Sequence, residues 1–131
     1  MRARPAAAAL AAALMFAAAP ALAQERGPAA RQTLVALAYV LGQSHALRQA
    51  CRGRADQYWR VRMEKLVNAE QPDAPFHRRL ADAFNDGFVA EQEAHPACDA
   101  AARREAARVA DKGRELSVTL SADVADDEPT R

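Results

Sequence analysis

Two cysteines, three histidines and a run of arginines are the residues of this chain whose chemistry goes beyond packing. Cys51 and Cys98 are the only cysteines, so pairing leaves no thiol over. In an exported chain, which the N-terminus described below indicates, such a pair defaults to a disulfide because the compartment is oxidising. A metal site is the competing arrangement. His95 and Cys98 have ligand-like spacing, Glu91 and Glu93 lie close by, and His45 and Cys51 could complete a mixed set. Against it, the H-x2-C spacing crosses Pro96, there is no C-x2-C, and an exported thiol would have to escape oxidation. The disulfide is the stronger expectation, and no metal is expected. With no C-x-x-C-H there is no covalent haem, and no other cofactor is called for.

The histidines make no catalytic set. His45 lies beside an apolar stripe, and Ser44 points to a different face of the same helix. His77, followed by Arg78 and Arg79, reads as a solvated face, and His95 as a helix end where a protonated ring suits the dipole. No nucleophile elbow, phosphate loop or dinucleotide fingerprint occurs, so no catalytic residue is assigned and the balance leans away from an enzyme. The biased surface is Arg48, Arg52, Arg54, Arg60, Arg62 and Lys65, offset by Asp56 and Glu64. It reads either as ordinary solvated helix ends or as a patch for an anion or a protein partner. Arg48 and Arg62 flank apolar stripes and, with His45 and Trp59, form the candidate binding surface. The alternative is a ligand pocket or small active site around His45, Tyr39 and Trp59.

These residues must be positioned by a small exported domain. Arg2 and Arg4 precede an apolar run from Ala6 to Ala19, and Pro20-Ala21-Leu22-Ala23 ends in a small-x-small site. That is the layout of a secretory signal peptide over residues 1–23, too short and Ala-rich for a membrane span. The expected location is periplasmic, with no span in the mature chain. Cleavage turns the formal charge from +1 to −1, which gives no basis for nucleic-acid binding. Residues 24–120 are then one helical domain, and the acids Asp123, Asp126, Asp127 and Glu128 mark residues 121–131 as a solvated, disordered tail.

Helical periodicity predicts four elements, an all-α bundle. The first runs from about Ala29 to Cys51 with Leu34, Leu37, Leu41, His45 and Arg48 on one stripe, and Gly53 ends it. The second runs from Asp56 to about Ala69 with Trp59, Met63 and Leu66 inward. The third, from about Pro75 to Ala94, carries Phe76, Leu80, Ala83, Phe84, Gly87 and Phe88 on a broad face, with Asp73 or Ala74 as N-cap. Gly87 on that face marks either a local kink or, the favoured reading because it lies on the apolar face and not at an end, close approach of a ring, Trp59 or Tyr39. The fourth starts after Asp99 and offers a thin face of Ala102, Ala106, Val109, Gly113, Leu116 and Leu120. A Cys51–Cys98 bond would therefore join the end of helix one to the start of helix four.

Four segments carry a resemblance: Leu41-Gly42 through Leu47-Arg48 to Cys51, Tyr58-Trp59-Arg60 with Met63 and Leu66, Phe84-Asn85-Asp86-Gly87-Phe88, and Cys98-Asp99-Ala100-Ala101. Together they resemble a family of small exported alphaproteobacterial proteins with two well-separated cysteines, over about Leu34 to Leu116. The resemblance implies a disulfide and no established activity, substrate or cofactor. In plan alone, a one-disulfide helical fold is also similar to periplasmic acid-stress chaperones and secretion-system immunity proteins, an analogy that carries no function. The function class expected is a non-enzymatic interaction or binding module with a periplasmic protein partner. The alternatives are the ligand pocket and an acid-stress chaperone.

Overall fold

The computed structural model describes residues 26–126, in which four helices follow one another: α1 (Pro28–Arg52), α2 (Tyr58–Glu70), α3 (Ala74–Ala94) and α4 (Ala100–Asp126). The expected export signal and residues 127–131 lie outside the described residues. Local chemistry sets the boundaries. Pro28 occupies the first turn of α1, where its missing N–H loses nothing. Gly53 closes α1 at a φ of 97°, which favours glycine, and its N–H donates to the Gln49 carbonyl. Asp56 lies just before α2, where its carboxylate accepts from the Tyr58 N–H at 3.1 Å. Asp73 caps α3 by accepting from the Phe76 N–H at 2.8 Å, and Asp99 caps α4 by accepting from Ala102 at 2.8 Å. α4 runs past Leu120 to Asp126, so residues 121–126 of the expected disordered tail are helical, the acids being tolerated on an exposed helix end.

α1 is the spine: α2, α3 and α4 each pack on it and hardly on one another. One face of α1 meets α3 through Leu34, Ala38, Leu80 and Phe84, with Met63 of α2 and Leu120 of α4 joining this cluster. A second cluster, Val40 and Leu47 with Ala102 and Val109, seats α4.

The α1–α3 crossing depends on two glycines. A Cβ on Gly87 would stand 2.1 Å from the Tyr39 carbonyl oxygen, and one on Gly42 would stand 1.9 Å from that of Phe84. The contact is backbone against backbone in both directions, so the close approach expected at Gly87 is real but no ring makes it. Tyr39 contributes its main chain there. Only helices without side chains at the crossing point come this near, and the geometry admits Cα–H···O contacts that larger residues would abolish.

The Cys51–Cys98 disulfide joins the end of α1 to the segment leading into α4, with Cα atoms 4.8 Å apart and the two residues 47 positions apart in sequence. α4 needs it. Between residues 100 and 123, only Ala102, Val109 and Leu120 are buried, a small apolar anchor for so long a helix. At the other end, Arg26 forms a two-pronged pair with Glu70 of α2 (2.9 and 3.0 Å) and donates to the Leu120 carbonyl of α4 at 3.3 Å. A covalent bond and a guanidinium thus fix α4 at opposite ends.

Candidate functional site

α2 is the loosest element and defines the site. Met63 is its only buried residue, with Leu66, Val67 and Trp59 half-buried, so it rides on α1 as a ridge. Polar ties hold its ends. Arg48 donates to Asp56 at 2.8 Å, Gln49 donates to the carbonyls of Arg54 (2.9 Å) and Asp56 (3.0 Å), and the Arg26–Glu70 fork secures the far end. The Arg48 hydrogen bond holds the Asp56 carboxyl below its ordinary range.

A groove lies on each side of this ridge. The groove between α2 and α3 encloses about 490 Å³, with Met63, Val67, Ala81 and Phe84 making its apolar surface. Its polar groups are Arg60, Glu64 and Asn68 from α2, and His77 and Asn85 from α3. Apolar walls with a few convergent polar groups are the usual composition of a ligand site. The Arg60 guanidinium lies over the Phe84 ring at 5.6 Å and has no ion pair among the described residues. The second groove, about 420 Å³, lies between α1, α2 and α4; its walls include Leu37, Val40, Trp59, Val109 and Gly113, and the neighbouring Val118 is 69% exposed.

The candidate surface residues separate into two groups. Arg48 and Arg62 converge on Tyr58, their guanidinium carbons 4.5 and 4.9 Å from the ring centre, and Arg62 also donates to the Tyr58 hydroxyl at 2.8 Å. Trp59 meets Tyr58 edge-on at 5.0 Å, so Arg48, Arg62 and Trp59 are joined through a tyrosine. His45 is elsewhere. It is 1% exposed and faces α3, with ring centres 5.6 Å from Phe84 and 5.4 Å from Phe88. Tyr39 is half-buried against the α1–α3 core. His45, Tyr39 and Trp59 therefore do not line one cavity: Trp59 faces the α4 side and the other two the α3 side. Ser44 lines the Trp59 groove, so it and His45 diverge as adjacent helical residues must.

The setting of His45 is unusual. Nδ1 is buried with no hydrogen-bond partner, and Nε2 lies 3.3 Å from the Gln49 amide nitrogen. That amide has two N–H groups, and the carbonyls of Arg54 and Asp56 already take them. Neither ring nitrogen has an acceptor among the described residues, so a second proton is unwelcome. Burial lowers the pKa of His45, the Arg60 charge lowers it further, and Asp56 partly opposes both.

Near the disulfide, Glu91 and His95 join a buried polar cluster whose other members, Gln43 and Glu105, the sequence does not bring together with them. Glu91, 5% exposed, accepts from Gln43 of α1 at 2.8 Å, and His95 Nδ1 lies 2.9 Å from its other oxygen. Glu105 of α4 is held below the ordinary carboxylate range by hydrogen bonding to Arg108, with lesser help from Glu91. The spacing Gln43, Glu91, Glu105 crosses three helices and leaves no periodic trace. Among the described residues, no group of three or more His, Cys, Asp or Glu side chains is arranged to hold a metal ion, and Cys51 and Cys98 are bonded to each other.

No helix among the described residues is long and apolar enough to cross a membrane. No curated protein and no solved structure matches the chain. A family model does, over residues 30–123, which takes in all of α2 and α3, almost all of α1 and most of α4. The chain belongs to the family described as protein of unknown function (DUF2385).

Proposed function

We propose that this protein is an exported, non-enzymatic binding module whose recognition surface is the α2 ridge and the groove it forms with α3. The single observation behind this is the groove itself, in which an apolar floor is rimmed by one guanidinium, two carboxamides, an imidazole and a carboxylate. Aromatic and arginine side chains on the same helix, Tyr58, Trp59 and Arg62, have the composition of binding hot spots. The divergence of Ser44 from His45 favours binding over nucleophilic chemistry. Export is supported by the signal-peptide pattern of residues 1–23 and by two cysteines suited to an oxidising compartment.

The test is site-specific photo-crosslinking in the periplasm. A photoreactive side chain at Asn68, inside the groove, should capture a recurrent adduct, whereas one at the exposed Arg104 on α4 should not. Equal capture from both positions, or none from Asn68, would overturn this assignment.

A further inference from the structure

We infer that the α2–α3 groove takes an organic anion with an apolar body, its charged head held by Arg60. This rests on the groove being the binding site and adds the chemical class of its ligand.

Charge is the first argument. Arg48 and Arg26 are committed to carboxylates, and Arg62 to the Tyr58 hydroxyl. Arg60, on the groove, has neither kind of partner among the described residues, and it lies over the Phe84 face. A guanidinium so placed keeps its in-plane N–H donors available, which is the geometry that grips a carboxylate, sulfonate or phosphate with two bonds. Asn68 and Asn85 supply further donors, and Met63, Val67 and Phe84 supply a surface for an apolar body. Glu64, one turn beyond Arg60, is the only acid among the residues that line the groove.

His45 adds a second, measurable consequence. It packs against the same Phe84 ring that Arg60 covers, at 5.6 Å in each case. The charged groups acting on it are Arg60 and Asp56, the latter tied to Arg48; α3 presents the rings of Phe84 and Phe88. An anion on Arg60 offsets the charge that disfavours protonation of His45. Anion and proton uptake are then linked, and each strengthens the other. His77 also stands on the rim, so the test must separate the two imidazoles.

The experiment titrates the disulfide-intact protein calorimetrically with octanesulfonate, which stays ionised across the range, and with 1-octanol as uncharged control. At pH 7 the sulfonate should bind about tenfold tighter than the alcohol, the size of a charge-assisted contact. Arg60→Gln, a change at an exposed position, should bring the two within about twofold. Titrations at pH 6 in buffers of unequal ionisation enthalpy should show net proton uptake on sulfonate binding, and the uptake should persist in His77→Gln. Equal affinity for sulfonate and alcohol overturns the anion assignment while leaving the groove as a binding site. Binding of neither overturns the ligand class, and the crosslinking result then decides whether the groove binds at all. Sulfonate selectivity retained in Arg60→Gln, or proton uptake lost in His77→Gln, overturns the role given to Arg60 or to His45.

Discussion

Replacing Gly87 with alanine puts one methyl group where two helix backbones touch, and its effect can be worked out from the structure. The new Cβ would stand 2.1 Å from the Tyr39 carbonyl oxygen and 2.9 Å from its carbon. Ordinary carbon–oxygen contact begins at about 3.3 Å, so α1 and α3 must separate by roughly 1.2 Å. The obstructing atom is backbone and cannot rotate aside. Separation of that size strips contacts from Leu34, Leu80 and Phe84, and forfeits a quarter to a half of each affected dispersion well. Overpacking of this kind costs about 1–3 kcal/mol, and the rigid obstacle places it near the top of the range. Alanine returns up to about 1 kcal/mol of helix propensity. The net loss is about 2 kcal/mol, or a fall in Tm of roughly 8–16 °C for a domain this size. Gly113→Ala is the control, since its Cβ would meet only the Val40 Cγ1, at 3.3 Å, and a side chain can yield. Thermal melts of the two variants and the parent measure both effects. A Gly87→Ala protein as stable as the parent, or one no worse than Gly113→Ala, would refute the reasoning.

Three further outcomes are expected. Reducing the disulfide should lower the urea-unfolding free energy by about 4 kcal/mol on the chain-entropy model for a loop of 47 residues, and an unchanged midpoint would contradict the anchoring of α4 by this bond. Folding depresses the pKa of His45, so its unfolded form takes up a proton first: stability is full above pH 6.5 and declines as pH falls through 6.5 towards the folded value, a slope that His45→Gln should flatten; Asp56, also depressed, adds a second loss below pH 3.8. Arg26→Ala should cost about 1 kcal/mol and raise amide hydrogen exchange at the end of α2 and around Leu120, whereas a uniform rise throughout the chain would show that Arg26 does not hold those two ends.

The fold was legible because period and punctuation agree. Leu34, Leu80 and Phe84 sit where a 3.6-residue repeat puts them, and Gly53, Asp73 and Asp99 stop or start helices for reasons visible in their side chains. The cysteine pairing followed from count and the expected compartment. Residues 121–126 of the expected tail are helix instead, because acids after Leu120 signal solvent, which a helix tolerates as readily as a coil does. Gly87 was traced to the right interface but the wrong atoms, since a sequence shows a missing side chain and not what fills its space. The groove was missed altogether. Its signal was present as two lines of four-residue spacing, Arg60, Glu64 and Asn68 on α2, and His77, Ala81 and Asn85 on α3. Nothing in either line says that it faces the other, because that depends on how both helices lean on α1. His45 was placed near the apolar stripe correctly, yet its grouping with Trp59 ignored the turn between them, which sends the two to opposite sides of α2.

The most direct test of the recognition surface is an amide chemical-shift map of the disulfide-intact protein titrated with octanesulfonate. Shifts concentrated between Arg60 and Asn68 and between His77 and Asn85, with α4 silent, are the expected result. Shifts centred on α4, or scattered evenly over all four helices, would contradict it.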